Sequence, residues 1–350
     1  MNSDPVKNIL VVRFSSLGDL GLLYPALTSF LHQHSAYTII LVTKEDFAPL
    51  FHGIERLIIY PVNTKKYKGF FGMYKLSELL NNSFNFKTVI DAHQVLRTFL
   101  LNFFLRIKGK EVFRLKKSRK ERNALTRKHN KIFQPLPHAT EQYLNIFREA
   151  GFPTKLEHGP YLPDAENSFA KSVFEELKIS DDKKLIGIAP FAKWQTKVLP
   201  LHKMEHLLKL ISESGKFNVL LFGSLKEAPH LKLWEEKFSS TYYVGGKGDL
   251  SDEIHLMKKL SLLVSMDSAN MHLGALAGIR LMTIWGSTHR YAGFGPVNSG
   301  EELPIEISEK ELTCRPCSVF GDKPCWRGDH ACMNLIDIHK VFDEIVRITN

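Results

Sequence analysis

Ile9-Leu10-Val11-Val12-Arg13-Phe14-Ser15-Ser16-Leu17-Gly18-Asp19 is the stretch that decides how this chain is read. Four apolar residues in a row suit a strand covered on both faces, and a Ser/Gly turn then delivers one carboxylate to the start of a helix. The pattern Leu20–Leu31, with Pro25 near its beginning, supplies that helix. Gly18 reads as the residue that lets the backbone turn where a Cβ would crowd it. Open α/β sheets carry their chemistry at the ends of such strands. Asp19 is therefore a candidate for work in a cleft, while capping the helix by accepting a backbone N–H is an equally open role.

The same grammar of strand-length apolar runs alternating with helical stretches recurs downstream, which is the pattern of parallel α/β units. A first series has strands at Asn8–Arg13, Thr38–Val42, Arg56–Tyr60, Thr88–Asp91 and Glu111–Leu115, and ends with a helix over Thr140–Ala150 stopped by Gly151-Phe152-Pro153. A second has strands at Lys184–Ala189, Asn218–Phe222, Tyr242–Val244, Leu262–Met266 and Arg280–Ile284. Between them, His158-Gly159-Pro160-Tyr161-Leu162-Pro163-Asp164 reads as a linker. The expectation is two Rossmann-like domains facing a cleft: residues 1–157, a linker over 158–168, and residues 169–333. A terminal helix within 334–350 is expected to fold back on the first domain.

A chain of 350 residues with 44% hydrophobic content exceeds what one core organises and agrees with two domains. No run approaches the ~20 apolar residues of a membrane span, and Met1–Lys7 has no signal-peptide pattern, so a cytoplasmic location is expected. The net charge of +10 is concentrated: the excess of Lys and Arg over Glu between Arg106 and Lys131 equals that of the whole chain. Such a run is a solvated face, or it attracts phosphates or anionic lipid. Upstream, Phe99-Leu100-Leu101-Asn102-Phe103-Phe104-Leu105 is strongly apolar, and a buried helix and one resting on a membrane surface are both open readings. Few aromatics interleave the basic run and no nucleic-acid-binding pattern is present, so nucleic acid is not expected as a partner.

Three strand ends in the second half carry further chemistry. After Gly187-Ile188-Ala189-Pro190 comes a loop with Lys193 and Lys197, where lysines can neutralise phosphate as point charges. Leu262-Leu263-Val264-Ser265-Met266-Asp267-Ser268-Ala269-Asn270-Met271-His272 is again strand, turn and helix. Free N–H groups near Ser268–Asn270 would form an anion site, with Asp267 shaping the turn. His272, one turn in, either reaches the anion or packs. Glu227 is a candidate for holding ribose hydroxyls, or an ordinary first-turn glutamate.

These loops and Asp19, in this order and spacing, resemble glycosyltransferase family 9, the heptosyltransferases of lipopolysaccharide core assembly. The resemblance rests on Ser16-Leu17-Gly18-Asp19 with Pro25, on Val89-Ile90-Asp91-Ala92-His93-Gln94-Val95-Leu96-Arg97-Thr98, on Lys197-Val198-Leu199-Pro200, and on Asp267-Ser268-Ala269-Asn270-Met271-His272 followed by Ile284-Trp285-Gly286-Ser287-Thr288. The chain departs from the family pattern at Ala269 and Phe191, where glycine is usual, and at Leu199, where tryptophan is common. The resemblance implies a glycosyltransferase-B fold and metal-independent, inverting transfer of a sugar, such as heptose from ADP-heptose, needing no cofactor. It implies Asp19 as general base and Lys197 as the cation on the leaving diphosphate. Lys193, Glu227, Asp267, Ser268, Ala269 and His272 then bind the donor, and Ser16, Gly18, His93 and Arg97 face the acceptor. An anionic lipid-linked saccharide, met at the inner face of the inner membrane, is the implied acceptor, and the basic run would concentrate it.

Two other classes stay open: a polyanion-binding protein using residues 106–131, and a sugar-nucleotide-binding protein without turnover. Cys314, Cys317, Cys325 and Cys332 share one loop. Their leading C-x2-C suits zinc, but the wide spacing of the second pair does not, so a structural zinc is the lesser reading beside reduced thiols.

Overall fold

The structure, a computed structural model, describes residues 7–159, 161–162, 168–297 and 301–350. It resolves into two compact units, one comprising the chain up to Lys117 together with Pro137–Glu157, the other Ser118–Leu136 together with His158–Asn350. The chain opens with β1 (Lys7–Val12), α1 (Leu17–Gln33), β2 (Tyr37–Lys44), β3 (Leu57–Val62) and α2 (Gly69–Ser83). It continues through β4 (Phe86–Asp91), α3 (Leu96–Ile107), β5 (Glu111–Arg114), α4 (Arg119–Thr126) and α5 (Ala139–Glu149).

The first sheet is all parallel, in the order β3-β2-β1-β4-β5. Its central strand β1 buries Ile9, Leu10, Val11 and Val12 completely, as four consecutive apolar residues demand when helices cover both faces. Against one face lie Met73, Leu76 and Leu80 of α2 and Leu101 and Leu105 of α3. On α1, Leu20, Leu23, Leu27, Phe30 and Leu31 are buried, and the Phe30 ring stacks on Phe147 of α5 at 4.6 Å.

The second unit continues with α6 (Ser168–Glu176), β6 (Lys184–Ala189), α7 (Leu201–Ser214), β7 (Phe217–Leu221), α8 (Ala228–Lys237) and β8 (Thr241–Tyr243). Then follow α9 (Leu250–Met257), β9 (Leu262–Met266), α10 (Ala269–Leu276), β10 (Leu281–Ile284), β11 (Glu302–Ile305), α11 (Ala331–Asn334) and α12 (Ile338–Thr349). Its parallel sheet runs β11-β10-β9-β6-β7-β8.

Three expectations change. Residues 118–136, read with the first domain, group with the second unit. There Leu125 is buried, the Arg122 guanidinium lies 4.5 Å from the Phe294 ring, and the Leu136 N–H donates to the Tyr291 carbonyl at 2.9 Å. The terminal helix, α12, is built into the second unit and is not a separate element after it. Val341 and Ile345 join the core around Met204, Leu207 and Leu262, and Arg280 donates to the Ile348 carbonyl at 2.8 Å. Gly18 does not adopt a positive φ but sits in the first turn of α1, so the turn is not one that only glycine can make. In the expected linker, His158, Gly159, Tyr161 and Leu162 are described without helix or strand, and Pro160 with residues 163–167 lies outside the described residues. The helix α4, eight mostly charged and polar residues, and the edge strand β11, four residues long, were not read in the sequence.

Candidate active site

Each sheet reverses its strand order once, between β1 and β4 in the first unit and between β6 and β9 in the second. Connections leave such a pair of strands in opposite directions, so a crevice opens at their carboxyl ends. Asp19 and His93 lie beyond the ends of the first pair of strands and Lys197 and Asp267 beyond the ends of the second, whereas Glu227 follows β7.

At the first, Ser16 caps α1 and Asp19 stands three residues on. One carboxylate oxygen, Asp19 Oδ2, accepts from the Ser16 N–H (3.1 Å) and the Ser16 hydroxyl (2.7 Å) and pairs with Arg13 Nη2 at 2.6 Å. Oδ1 takes none of these bonds. A cap and a functional role are thus compatible, because they can use different oxygens. Burial pushes the Asp19 pKa up, but the Arg13 charge and the Ser16 donors outweigh it and hold the carboxyl below its usual range. Arg13 is itself buried, donating to the Ala92 carbonyl with its guanidinium 5.5 Å from the Tyr143 ring.

From β4, Asp91 is fully buried and organises the adjoining turn. It accepts from the His93 N–H (3.0 Å), the Gln94 N–H (2.9 Å) and Asn102 Nδ2 (2.6 Å), with Arg114 Nε at 3.5 Å. Burial, and then the Arg13 charge, push the His93 pKa down to about 4, so its ring is neutral at neutral pH. Five buried polar atoms here, Arg13 Nε, His93 Nδ1, Gln94 Oε1, Asn102 Oδ1 and Arg114 Nε, have no hydrogen-bond partner among the described residues. Buried donors and acceptors are rarely left unpaired, and such a cluster marks a place where a polar ligand completes the set. Arg97 lies in the first turn of α3, half-exposed. Arg13 and Asp91 were missed by the motif reading, although a lone Arg directly after four buried apolar residues is a usable signal.

At the second crevice, Lys197 Nζ pairs with Asp267 Oδ2 at 3.2 Å, both side chains about nine-tenths buried. The Thr288 hydroxyl donates to the same Asp267 oxygen at 2.6 Å. An ammonium has three N–H bonds, so Asp267 orients Lys197 and leaves donors for an anion. Ser268 caps α10 and Ala269 begins it, so their N–H groups lie at the positive end of the helix dipole. His272, further along α10, is buried. Lys193 is exposed, its ammonium 5.2 Å from the Trp194 ring. Glu227 repeats the Asp19 arrangement: its Oε2 accepts from the Ser224 N–H (2.7 Å) and hydroxyl (2.8 Å), and Oε1 is not engaged in either bond.

The cysteine-bearing segment buttresses this crevice. The N–H groups of Cys317 and Ser318 donate to the Ser287 carbonyl at 2.9 and 3.1 Å, and Thr196 donates to the Gly321 carbonyl at 2.6 Å. A Cβ on Gly321 would come within 2.6 Å of Lys197 Cγ, so glycine there lets the lysine stem pass. Arg315 is buried and donates to the carbonyls of Gly286 (2.7 Å), Trp285 (3.2 Å) and Thr288 (3.3 Å) and to Glu306 (3.0 Å). It thereby holds the turn that carries Thr288. The four thiols are free, and among the described residues no group of three or more His, Cys, Asp or Glu is arranged to hold a metal. Cys332 lies in the hydrophobic core, where burial pushes its thiol up to about 12.

The basic run is less available than its sequence suggests. Lys108 pairs with Glu78, Lys116 with Glu149 (2.6 Å) and Arg114 with Asp91. Lys131 donates to the carbonyls of Cys314 (2.5 Å) and Pro316 (2.7 Å), and the run is divided between the two units.

Two parallel α/β units, one with a buttressed carboxylate and the other with a lysine and a helix N-terminus at the switch point, place the chain among proteins built from paired parallel α/β units. The profile of Glycosyltransferase family 9 (heptosyltransferase) matches residues 73–319, and the chain belongs to that family. It is 26% identical over 162 residues to lipooligosaccharide heptosyltransferase 2 of Haemophilus influenzae, a match spanning 44% of this chain and 46% of that relative, less than half its length. The fold is similar to that of the glycosyl transferase family 9 protein from Veillonella parvula, with TM-score 0.75 and 17% identity over 99% of this chain and 98% of that one. It is also similar to the E. coli ADP-heptose lps heptosyltransferase II, with TM-score 0.70 and 16% identity over 98% of both chains.

Proposed function

We propose that this chain is an inverting heptosyltransferase that moves heptose from ADP-heptose to a hydroxyl of an anionic, lipid-linked core saccharide at the cytoplasmic face of the inner membrane. The observation that carries this reading is the oriented Lys197 beside the first N–H groups of α10, a site for a diphosphate. The donor and acceptor named for the E. coli and Haemophilus proteins support the choice of substrates.

In this reaction the acceptor hydroxyl oxygen attacks C1 of the heptose from the face opposite the diphosphate. The O–C1 bond forms as the bond from C1 to the β-phosphate oxygen breaks, and the electron pair leaves with ADP, inverting the anomeric centre. Charge on the departing diphosphate is met by Lys197 and the N–H groups of Ser268 and Ala269. Asp267 and Thr288 hold Lys197, Glu227 Oε1 receives ribose hydroxyls, and Lys193 comes from the loop that carries Lys197. His272, buried on α10, joins Lys197 and Asp267 on the donor side. The hydroxyl proton passes to Asp19 Oδ1. A carboxylate held below its usual range is a weak base, so the proton moves late, when bond formation has made the hydroxyl acidic. Ser16 and Arg13 hold Asp19, and His93 and Arg97 contact the acceptor, Arg97 through its charge.

Calorimetry with ADP, UDP and GDP in the presence of a chelator tests the donor site, followed by ADP release from ADP-heptose with a lipid-linked acceptor. Selective ADP binding, weakened in Lys197→Ala, and turnover with chelator present are expected. Absence of binding to every nucleotide would overturn the reading, and binding without turnover would make the chain a sugar-nucleotide binder.

A further inference from the structure

The first unit presents an apolar surface to solvent. Phe71 of α2 is 83% exposed, and Leu96 and Ile107 of α3 are 77% and 68% exposed. Phe99 and Phe103, also exposed, lie between those two at helical spacing, so one side of α3 is an apolar stripe along its length. The stripe continues onto α2, because the rings of Phe70 and Tyr74 lie 4.8 and 5.3 Å from the Phe104 ring and Phe103 lies 5.4 Å from it. Large aromatic side chains left in water over two adjoining helices are costly and mark a surface meant to be covered.

The charge around the stripe identifies what covers it. Lys65, Lys66 and Lys68 precede α2, Lys75 lies on it and Arg106 lies on α3, all exposed. No carboxylate occurs from Asn63 to Ser77 or from Ala92 to Lys110, and the adjacent Glu78 is taken by Lys108. An apolar centre flanked by exposed cations is complementary to a bilayer with anionic headgroups: rings enter the acyl boundary while lysines stay at phosphate level. No described helix is long and apolar enough to cross a membrane, and α3 has only 12 residues, so these helices lie in the interface plane. We propose that α2 and α3 form a membrane-docking face that seats the first unit on an anionic bilayer. The proposal deepens the reading of a lipid-linked acceptor, and it moves the anion-attracting role from the Arg106–Lys131 run to the lysines flanking α2.

The test is flotation of the full chain with vesicles of phosphatidylcholine alone or mixed with phosphatidylglycerol, at low and raised salt. The proteins are wild type, the triple variant Phe71→Ser/Leu96→Ser/Ile107→Ser, and the triple variant Lys65→Glu/Lys66→Glu/Lys68→Glu. All substituted side chains are exposed, and circular dichroism checks the fold. Wild type is expected to float with the mixed vesicles and not with phosphatidylcholine alone. Each triple variant should lose affinity by more than about tenfold, and salt should weaken wild type. Failure of wild type to float with anionic vesicles, or unchanged flotation of the apolar triple variant, would overturn the proposal. So would a wild-type dimer in sedimentation that the apolar variant abolishes, which would make a second copy the occupant. Turnover on a water-soluble, delipidated acceptor separates this from the transferase reading. The apolar variant should keep that turnover while losing turnover on vesicle-embedded acceptor, whereas a failed transferase reading gives no turnover on either acceptor and leaves flotation intact.

Discussion

Replacing Asp19 with Asn separates its observed duty as helix cap from its proposed duty as general base. The amide is nearly isosteric, and its oxygen can still accept from the Ser16 N–H and hydroxyl, so the start of α1 should survive. What is lost is the charge opposite Arg13, whose side chain is only 6% exposed. Arg13 keeps the Ala92 carbonyl and the Tyr143 ring, and Asp19 is a quarter exposed, so the stability cost should be about 1–2 kcal/mol, well short of the cost of stranding a buried charge. An Asn cannot take a proton, and losing a general base lowers kcat by about 10²–10⁴. The assay is continuous ADP release with saturating ADP-heptose and acceptor, with nucleotide affinity measured alongside. That affinity should be unchanged, because the proposed donor residues belong to the other unit. A variant that keeps kcat within about threefold of wild type would refute the argument and leave Asp19 as a helix cap. The pH profile adds a second check: with Asp19 held below the usual carboxylate range, the acid limb of kcat/KM should fall below that of an ordinary carboxylate, and a limb near neutral pH would point to another base.

Lys197→Ala should weaken ADP binding and also destabilise, since it strands the buried Asp267, whereas Lys197→Ala/Asp267→Asn should recover stability but not affinity; recovery of both would remove Lys197 from the donor site. Arg315→Leu should lower thermal stability by about 3–5 kcal/mol and weaken nucleotide binding through the 285–288 turn, measured by calorimetry. Glu306, beside His289 and Arg315, is buried against its charge, yet these partners hold its pKa at about 2. Its stabilising contribution, about 3 kcal/mol, is present above pH 4.5 and lost as pH falls towards 2, so Glu306→Gln should flatten the acid-unfolding curve in that window. Glu253 behaves oppositely: burial raises its pKa to about 7, so the folded state is favoured below pH 4.5 and loses that contribution as pH rises through 7. Glu253→Gln should therefore stabilise the protein more at pH 8 than at pH 5 in denaturant titrations.

The strands of both sheets and most of their helices were legible because their cores are built from local pattern. β1 is four apolar residues in a row, and Lys184–Ala189 and Leu262–Met266 have the same bounds in sequence and structure. The turns carrying Asp19 and Asp267 could be read for the same reason, since a strand that stops in a polar turn and enters a helix is a short-range event. The sequence by itself therefore determined two parallel α/β series and the residues at the ends of their strands. Tertiary structure alone decided which of those ends are neighbours, because β1 lies beside β4 and β6 beside β9 only after intervening chain has crossed over. It decided that Arg13 faces Asp19, that Arg315 braces the turn of Thr288, and that residues 118–136 and α12 are built into the second unit. It also decided which cations in the basic run are consumed by carboxylates and carbonyls, and which aromatic rings of α2 and α3 stay in water. The physical reason is common to all of these: charge neutralisation and exposure depend on distances between segments far apart in the chain, and local hydrophobic period carries no information about them.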